Sequence, residues 1–225
     1  MASSNNKEQF QAVLNDLRNA VKTRIDADEE DIQNFLSYFN GQEQMITETT
    51  AMTINAKFSQ YQSMLQFLER RAHDFSIQAE NCLGPAKEKL TNERGRVIAK
   101  IKEKLGHEVR MVRQLYQGYQ TKSNAILVDI QNEIATIEEK LNELDAQYIS
   151  EAMPAIGQKI NNLPTEMLNE YEDIKNQVQQ KGEKLANFIE DAIIEVETIG
   201  SIVEADAKKC VYTLIQEHQT NKANA

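Results

Sequence analysis

The chain has 225 residues, enough for one large or two small domains, with 40 % hydrophobic and 27 % charged residues and a net charge of −10. Eight Gly and three Pro are too few for a turn-rich β protein, and the acidic balance argues against general binding to nucleic acid or to anionic membrane. No apolar run approaches the eighteen or more residues of a membrane span, and no secretory signal peptide is visible at Met1; the chain reads as a cytosolic protein or as a mature secreted region restarted with a Met.

Helix-forming residues dominate, and apolar residues recur three and four apart, so the expected class is all-α: an elongated antiparallel bundle of about four long amphipathic helices, partly coiled-coil-like, in one domain spanning 1–225. The first helix is expected over about 6–40. Phe10, Val13, Leu14, Leu17, Val21, Ile25, Ile32, Phe35, Leu36 and Phe39 share one face, and Asn40-Gly41 is a stop signal. Its acidic run, Asp26, Asp28, Glu29, Glu30 and Asp31, reads as a solvated face. The pattern of an EF-hand loop is missing.

The second helix is expected over about 42–83, with Met45, Thr49, Met52, Ala56, Tyr61, Met64, Leu65, Leu68, Ala72, Phe75, Ala79 and Cys82 as its buried stripe, and with Gly84-Pro85 as its end. The third, about 85–153, carries the longest ladder in the chain. It runs from Val97 through Ile101, Leu105, Val109, Val112, Tyr116, Tyr119, Ser123, Ile126, Ile130, Ile134, Ile137, Leu141 and Leu144 to Tyr148. Gly95, Gly106 and Gly118 interrupt it as possible kinks. Met153-Pro154, Gly157 and the turn Asn161-Asn162-Leu163-Pro164-Thr165 separate it from a fourth helix over about 165–218. Leu168, Tyr171, Ile174, Val178, Leu185, Phe188, Ala192, Val196, Val203, Ala207, Cys210 and Ile215 mark the buried side of that helix.

Charge suggests how the last two helices pair. Nine basic residues against four acidic ones lie between Lys87 and Arg113, while Glu190, Asp191, Glu195, Glu197, Glu204 and Asp206 make the last helix acidic. A hairpin turning near residue 155 sets these regions side by side, with a value in register rather than in energy. The rival reading is a basic patch for an anionic partner.

Cys82 and Cys210 are the only thiols. Their even number and their places near helix ends suit one disulfide in an extracellular protein; the other reading is two buried free cysteines. A turn near residue 155 opposes Cys210 to about residue 100 and not to Cys82, far outside the reach of a disulfide, so a bridge needs a break at Gly95 or Gly106 or an offset turn.

Catalytic and metal patterns are missing. His73, His107 and His218 do not form Glu-x-x-His or His-Glu-x-x-His motifs, Gly200-Ser201 lacks the surroundings of a nucleophile elbow, and there is no phosphate loop or dinucleotide fingerprint. The expectation is a protein that is not an enzyme, with no cofactor, no metal and no catalytic residue. No Asn-x-Ser/Thr acceptor occurs.

Asn81-Cys82-Leu83 at a helix end, a long polar helical body and Lys208-Lys209-Cys210 near the C-terminus together resemble secreted helical insect proteins with a TsetseEP-type domain, over roughly residues 75–219. The resemblance implies a secreted gut or body-fluid protein. In style, though not in motif, the chain is also similar to apolipophorin-type lipid-binding bundles, whose helices are shorter. The functional expectation is an extracellular interaction or structural protein that binds another protein or itself. The alternatives are a carrier of lipid or of a small hydrophobic ligand, and an intracellular (cytoplasmic) coiled-coil scaffold with reduced thiols.

Overall fold

The computed structural model describes residues 4–143 and 146–224. Among these the secondary structure is entirely helical, in three helices: α1 (Ser4–Asp74), α2 (Glu80–Asn142) and α3 (Ala146–Ala223). The expected class holds, and the expected count of about four is corrected to three.

The correction comes from local signals that packing overrides. Asn40-Gly41 does not stop α1, and no glycine has positive φ. Core residues continue on both sides, with Ile32 before it and Ile54 and Phe58 after it. Pro154, Gly157 and Pro164 lie inside α3. There the buried row Ile149, Ile156, Leu163, Met167 and Ile174 runs straight past both prolines, and that burial offsets the lost backbone hydrogen bonds. Residues 155–163 are therefore part of α3 and not a separate connection.

The real breaks fall elsewhere. The first is at residues 75–79, not at Gly84-Pro85; Pro85 lies inside α2, just past its first turn. Ser76 takes the left-handed conformation, φ 57°. The Ile77 N–H donates to the Ala72 carbonyl at 3.0 Å, and the Ser76 N–H to the His73 carbonyl at 2.8 Å. This is a Schellman closure with Ser in the position that Gly or Asn usually fills, so no Gly or Asn flags it in the sequence. The second break lies between Asn142 and Ala146, so Tyr148 belongs to α3 and the α2 ladder closes at Leu141; Leu144 lies outside the described residues. Within the ladder Leu127, not Ile126, is the fully buried step, and α2 continues as helix through Gly95, Gly106 and Gly118.

The chain packs as two compact units. Unit 1 is Met1–Asn40 with Arg110–Gln180, and unit 2 is Gly41–Val109 with Lys181–Ala225. Each has its own core of three helical segments. Unit 1 buries Leu14, Val21, Ile32, Tyr116, Leu127, Ile134 and Met167 among others. Phe35 stacks on Tyr116 with ring centroids 3.9 Å apart, and Tyr171 meets Tyr116 and Tyr119 edge-on. Unit 2 buries Ile54, Phe58, Leu65, Leu68, Leu83, Leu90, Val97, Val196, Val203 and Val211.

In α1 of unit 2 the buried stripe is not the expected one. Thr50, Ile54 and Phe58 face the core, whereas Met45 and Met52 are 54 % and 71 % exposed. In α3 likewise, Met167 is buried in place of Leu168.

Candidate functional site

With α2 ending at Asn142 and α3 starting at Ala146, and not near residue 155, the α2–α3 register is reset. Lys122 pairs with Glu170 at 2.5 Å, Lys159 with Glu133, and Cys82 with Cys210. In each pair the two numbers add to 292, as an antiparallel hairpin requires. The expected mismatch of the cysteines disappears with the turn so placed, and no break at Gly95 or Gly106 is needed.

Cys82 sits in the first turn of α2. Its N–H and that of Leu83 donate to the Ala79 carbonyl at 3.0 and 2.9 Å. Its side chain lies against the unit 2 core that includes Ala79, Leu83 and Ala207. Cys210 lies on α3 between the buried Ala207 and Val211, and it is itself exposed. The two sulfurs are at disulfide distance, 1.98 Å, with Cα atoms 5.7 Å apart and 128 positions between them in sequence. Of the pair only Cys82 is buried, so the expected buried place of Cys210 on α3 is corrected.

Charge pairing across α2 and α3 follows the expectation in part. Glu195 accepts from Arg96 at 2.5 Å and from Lys100 at 3.1 Å, and these cations hold its carboxyl below the usual range. Lys57 of α1, not a residue of the basic stretch, pairs with Glu197, and Lys87 turns to Glu69 of α1 at 3.0 Å. Glu108 is buried between Lys104 at 2.8 Å and Lys181 at 3.3 Å; the Lys104 hydrogen bond first, then Lys181, pull its carboxyl down against the opposing effect of burial.

The acidic run of α1 is not wholly solvated. Asp28 is buried and pairs with Arg24 at 3.0 Å. Burial pushes its carboxyl up, Arg24 opposes this and Asp31 adds to it. Tyr119 and Ser123 of α2 are buried too, and burial raises the Tyr119 hydroxyl, with the nearby Asp28 charge adding to it. Asp28 Oδ2, Arg24 Nε and Ser123 Oγ are buried without a protein partner. No group of three or more His, Cys, Asp or Glu side chains that could hold a metal occurs among the described residues.

A close approach joins α1 and α3 in unit 2. The Tyr61 ring lies on Gly200, where an added Cβ would stand 2.1 Å from Tyr61 Cε2. The Tyr61 hydroxyl donates to the Glu197 carbonyl at 3.1 Å and lies 3.3 Å from Ser201 Oγ. The reading of Gly200-Ser201 for catalysis missed this contact, because a glycine without a turn pattern gives no signal of what packs on it.

Two grooves of unit 1 run along the α2–α3 seam. One, of about 470 Å³, is lined by Ile126, Asp129, Ala155, Lys159, Leu163 and Glu166, and its neighbour, of about 570 Å³, shares Asp129, Ala155 and Lys159. Neither is lined by a His or a Cys. A third, of about 640 Å³, lies beside the Phe75–Ser76 turn with His218 on its wall. Among the described residues no helix is long and apolar enough to cross a membrane.

Compared with known proteins, the chain matches no protein-family model and no curated protein.

Proposed function

We propose that this is a non-enzymatic extracellular interaction protein, a helical scaffold stapled by Cys82–Cys210 that works by presenting helix faces to a protein partner. The observation that carries the reading is the cysteine pair. The only two thiols of the chain, 128 positions apart, stand at disulfide distance. Chance seldom brings two lone cysteines so close, and such bonds persist in oxidising compartments. The resemblance to TsetseEP-type proteins, which implies secretion, points the same way. Apolar side chains left on the outside of the helices, among them Tyr38, Met52, Phe67 and Ile194, supply surface for a partner.

The test is intact mass spectrometry, without reductant, of protein taken from its natural source. A mass two hydrogens below the reduced chain supports the stapled extracellular reading. Two free thiols overturn it in favour of an intracellular scaffold.

A further inference from the structure

Between Gln44 and Leu68 the chain changes character. These 25 residues hold two charges, Glu48 and Lys57, against 27 % charged residues over the whole sequence. One of the two, Lys57, is turned to Glu197 within the unit. The stretch lies wholly in α1 of unit 2, with one face buried and an uncharged face outside. Thr50, Ile54, Phe58, Leu65 and Leu68 are buried in the core. On the opposite side Met45, Met52 and Phe67 are 54 %, 71 % and 50 % exposed, and Thr49, Ala56, Ser59 and Ser63 are exposed between them. The steps from 45 to 49, 52, 56, 59, 63 and 67 are all threes and fours, so these residues share a face. The expected stripe at Met45, Thr49, Met52 and Ala56 is thus real, but it faces outward. An uncharged outer side carrying exposed Met45, Met52 and Phe67 leaves a second surface to cover.

Two of the three hydroxyls on this face are already spoken for. The Ser59 hydroxyl donates to the Asn55 carbonyl at 2.8 Å, and that of Ser63 to the Ser59 carbonyl at 2.9 Å. Both hydroxyl protons are bonded within the helix, so covering them leaves no donor unpaired.

We propose that this outer face of α1 is a self-association surface, on which a second copy of the chain docks antiparallel about a two-fold axis at Ala56. Two observations choose the occupant. The protein is strongly acidic, so an isologous pair, which sets each patch against itself, opposes like charges on a charged face but not on this one. The row is also self-complementary. Met45 and Phe67 each lie eleven positions from Ala56, three helical turns, so an antiparallel partner sets each Met45 against Phe67 of the second copy, a favourable sulfur–aromatic contact. The small Ala56, Ser59 and Ser63 let the helix axes approach near the centre. The proposal deepens the reading of the protein as an interaction protein, and rests on it, by naming a second copy as partner.

The test is sedimentation velocity of the full chain at about 10 and 100 µM, with and without reductant. The expected result is a dimer in both. Met52→Glu/Phe67→Glu then weakens the dimer about a hundredfold or more and yields monomer with unchanged helical circular dichroism, since both side chains lie outside the core. Thr49→Lys, also exposed, does the same should the double variant misfold. Tyr38→Glu, an exposed aromatic of unit 1, leaves the dimer intact. A wild-type monomer at 100 µM overturns the proposal, as does a dimer that survives both sets of substitutions. A monomer with bridged cysteines sinks this surface and leaves the staple standing; a dimer with free thiols does the reverse.

Discussion

Replacing Gly200 by Ala sets two physical rules against each other. By helix propensity alone, Gly→Ala inside a helix stabilises by about 0.8–1 kcal/mol. The structure reverses the sign. The new methyl would stand 2.1–2.5 Å from three atoms of the Tyr61 ring, well inside van der Waals contact. Tyr61 cannot simply swing aside, because its hydroxyl is held by the Glu197 carbonyl at 3.1 Å and its ring packs on the unit 2 core. Overpacking costs about 1–3 kcal/mol, and losing the hydroxyl bond about 0.5–1.5 kcal/mol more. Set against the propensity gain, the net cost is about 0.5–3.7 kcal/mol. For a chain of this size each kcal/mol moves Tm by about 2–4 °C, so the expected fall is roughly 1–15 °C. Thermal and urea melts followed by circular dichroism read it. Gly95→Ala and Gly118→Ala, where an added Cβ meets nothing within 4 Å, are the controls and should raise Tm by up to a few degrees. Gly200→Ala/Tyr61→Ala should lose the clash but keep the cavity cost. A Gly200→Ala variant as stable as those controls would refute the argued contact.

Other expectations follow from the same geometry. Glu108 sits between Lys104 and Lys181 with its carboxyl held below the usual value, so its stabilisation is present above the unfolded-state value near 4.5 and is lost as pH falls through the lower folded value. Glu108→Gln should lower stability at pH 7 by about 1–3 kcal/mol and flatten the acid limb of a plot of stability against pH. Asp28 has the opposite sign: burial raises its folded-state value above the unfolded one, so its contribution grows as pH falls and Asp28→Asn should remove that component. Ser123→Ala deletes a buried hydroxyl that lacks a protein partner, and should be neutral or stabilising by up to about 1 kcal/mol in a urea titration. Opening the Cys82–Cys210 bond with a phosphine should cost about 4–5 kcal/mol in the chain-entropy account of a loop this long, read as a lower urea midpoint. The exposed Cys210 side of the pair should let reduction proceed without denaturant.

How much of this was legible in the sequence depends on which signal was in play. The Val97–Leu141 ladder was readable almost residue by residue, because burial follows the helical period and α2 is amphipathic along this whole stretch. The ends of helices were not. Asn40-Gly41, Pro154 and Pro164 are local preferences worth a few kcal/mol at most, and the apolar rows running past them outweigh that. Ser76 closes α1 in a conformation that sequence ascribes to Gly or Asn, so the true turn carried no flag. One misplaced turn then shifted the opposite residue of Cys210 by about twenty positions, which is why the cysteine pair was legible from composition and not from register. In α1 of unit 2 two stripes coexist, and periodicity alone does not say which faces inward; the larger Ile54 and Phe58 settle it once packed. Asp28 looked like one more surface acid, because it is buried beside Tyr119, about ninety residues away in sequence.

The position of the cysteine pair has a consequence for a chain that meets proteases. In the oxidised protein, Cys82 and Cys210 enclose nearly all of α2, the link from α2 to α3 and most of α3 within one covalent ring. A single cut anywhere inside that ring opens it without releasing a fragment, since both halves stay tied through sulfur. A cut in the 75–79 turn, just outside the ring, separates α1 from the rest of the covalent molecule. Nicked chains should therefore run whole on a non-reducing gel when the scission lies between 83 and 209, and split in two when it lies before Cys82. The chain is thus divided into a segment that survives cleavage as one molecule and a segment whose attachment depends on the single 75–79 turn.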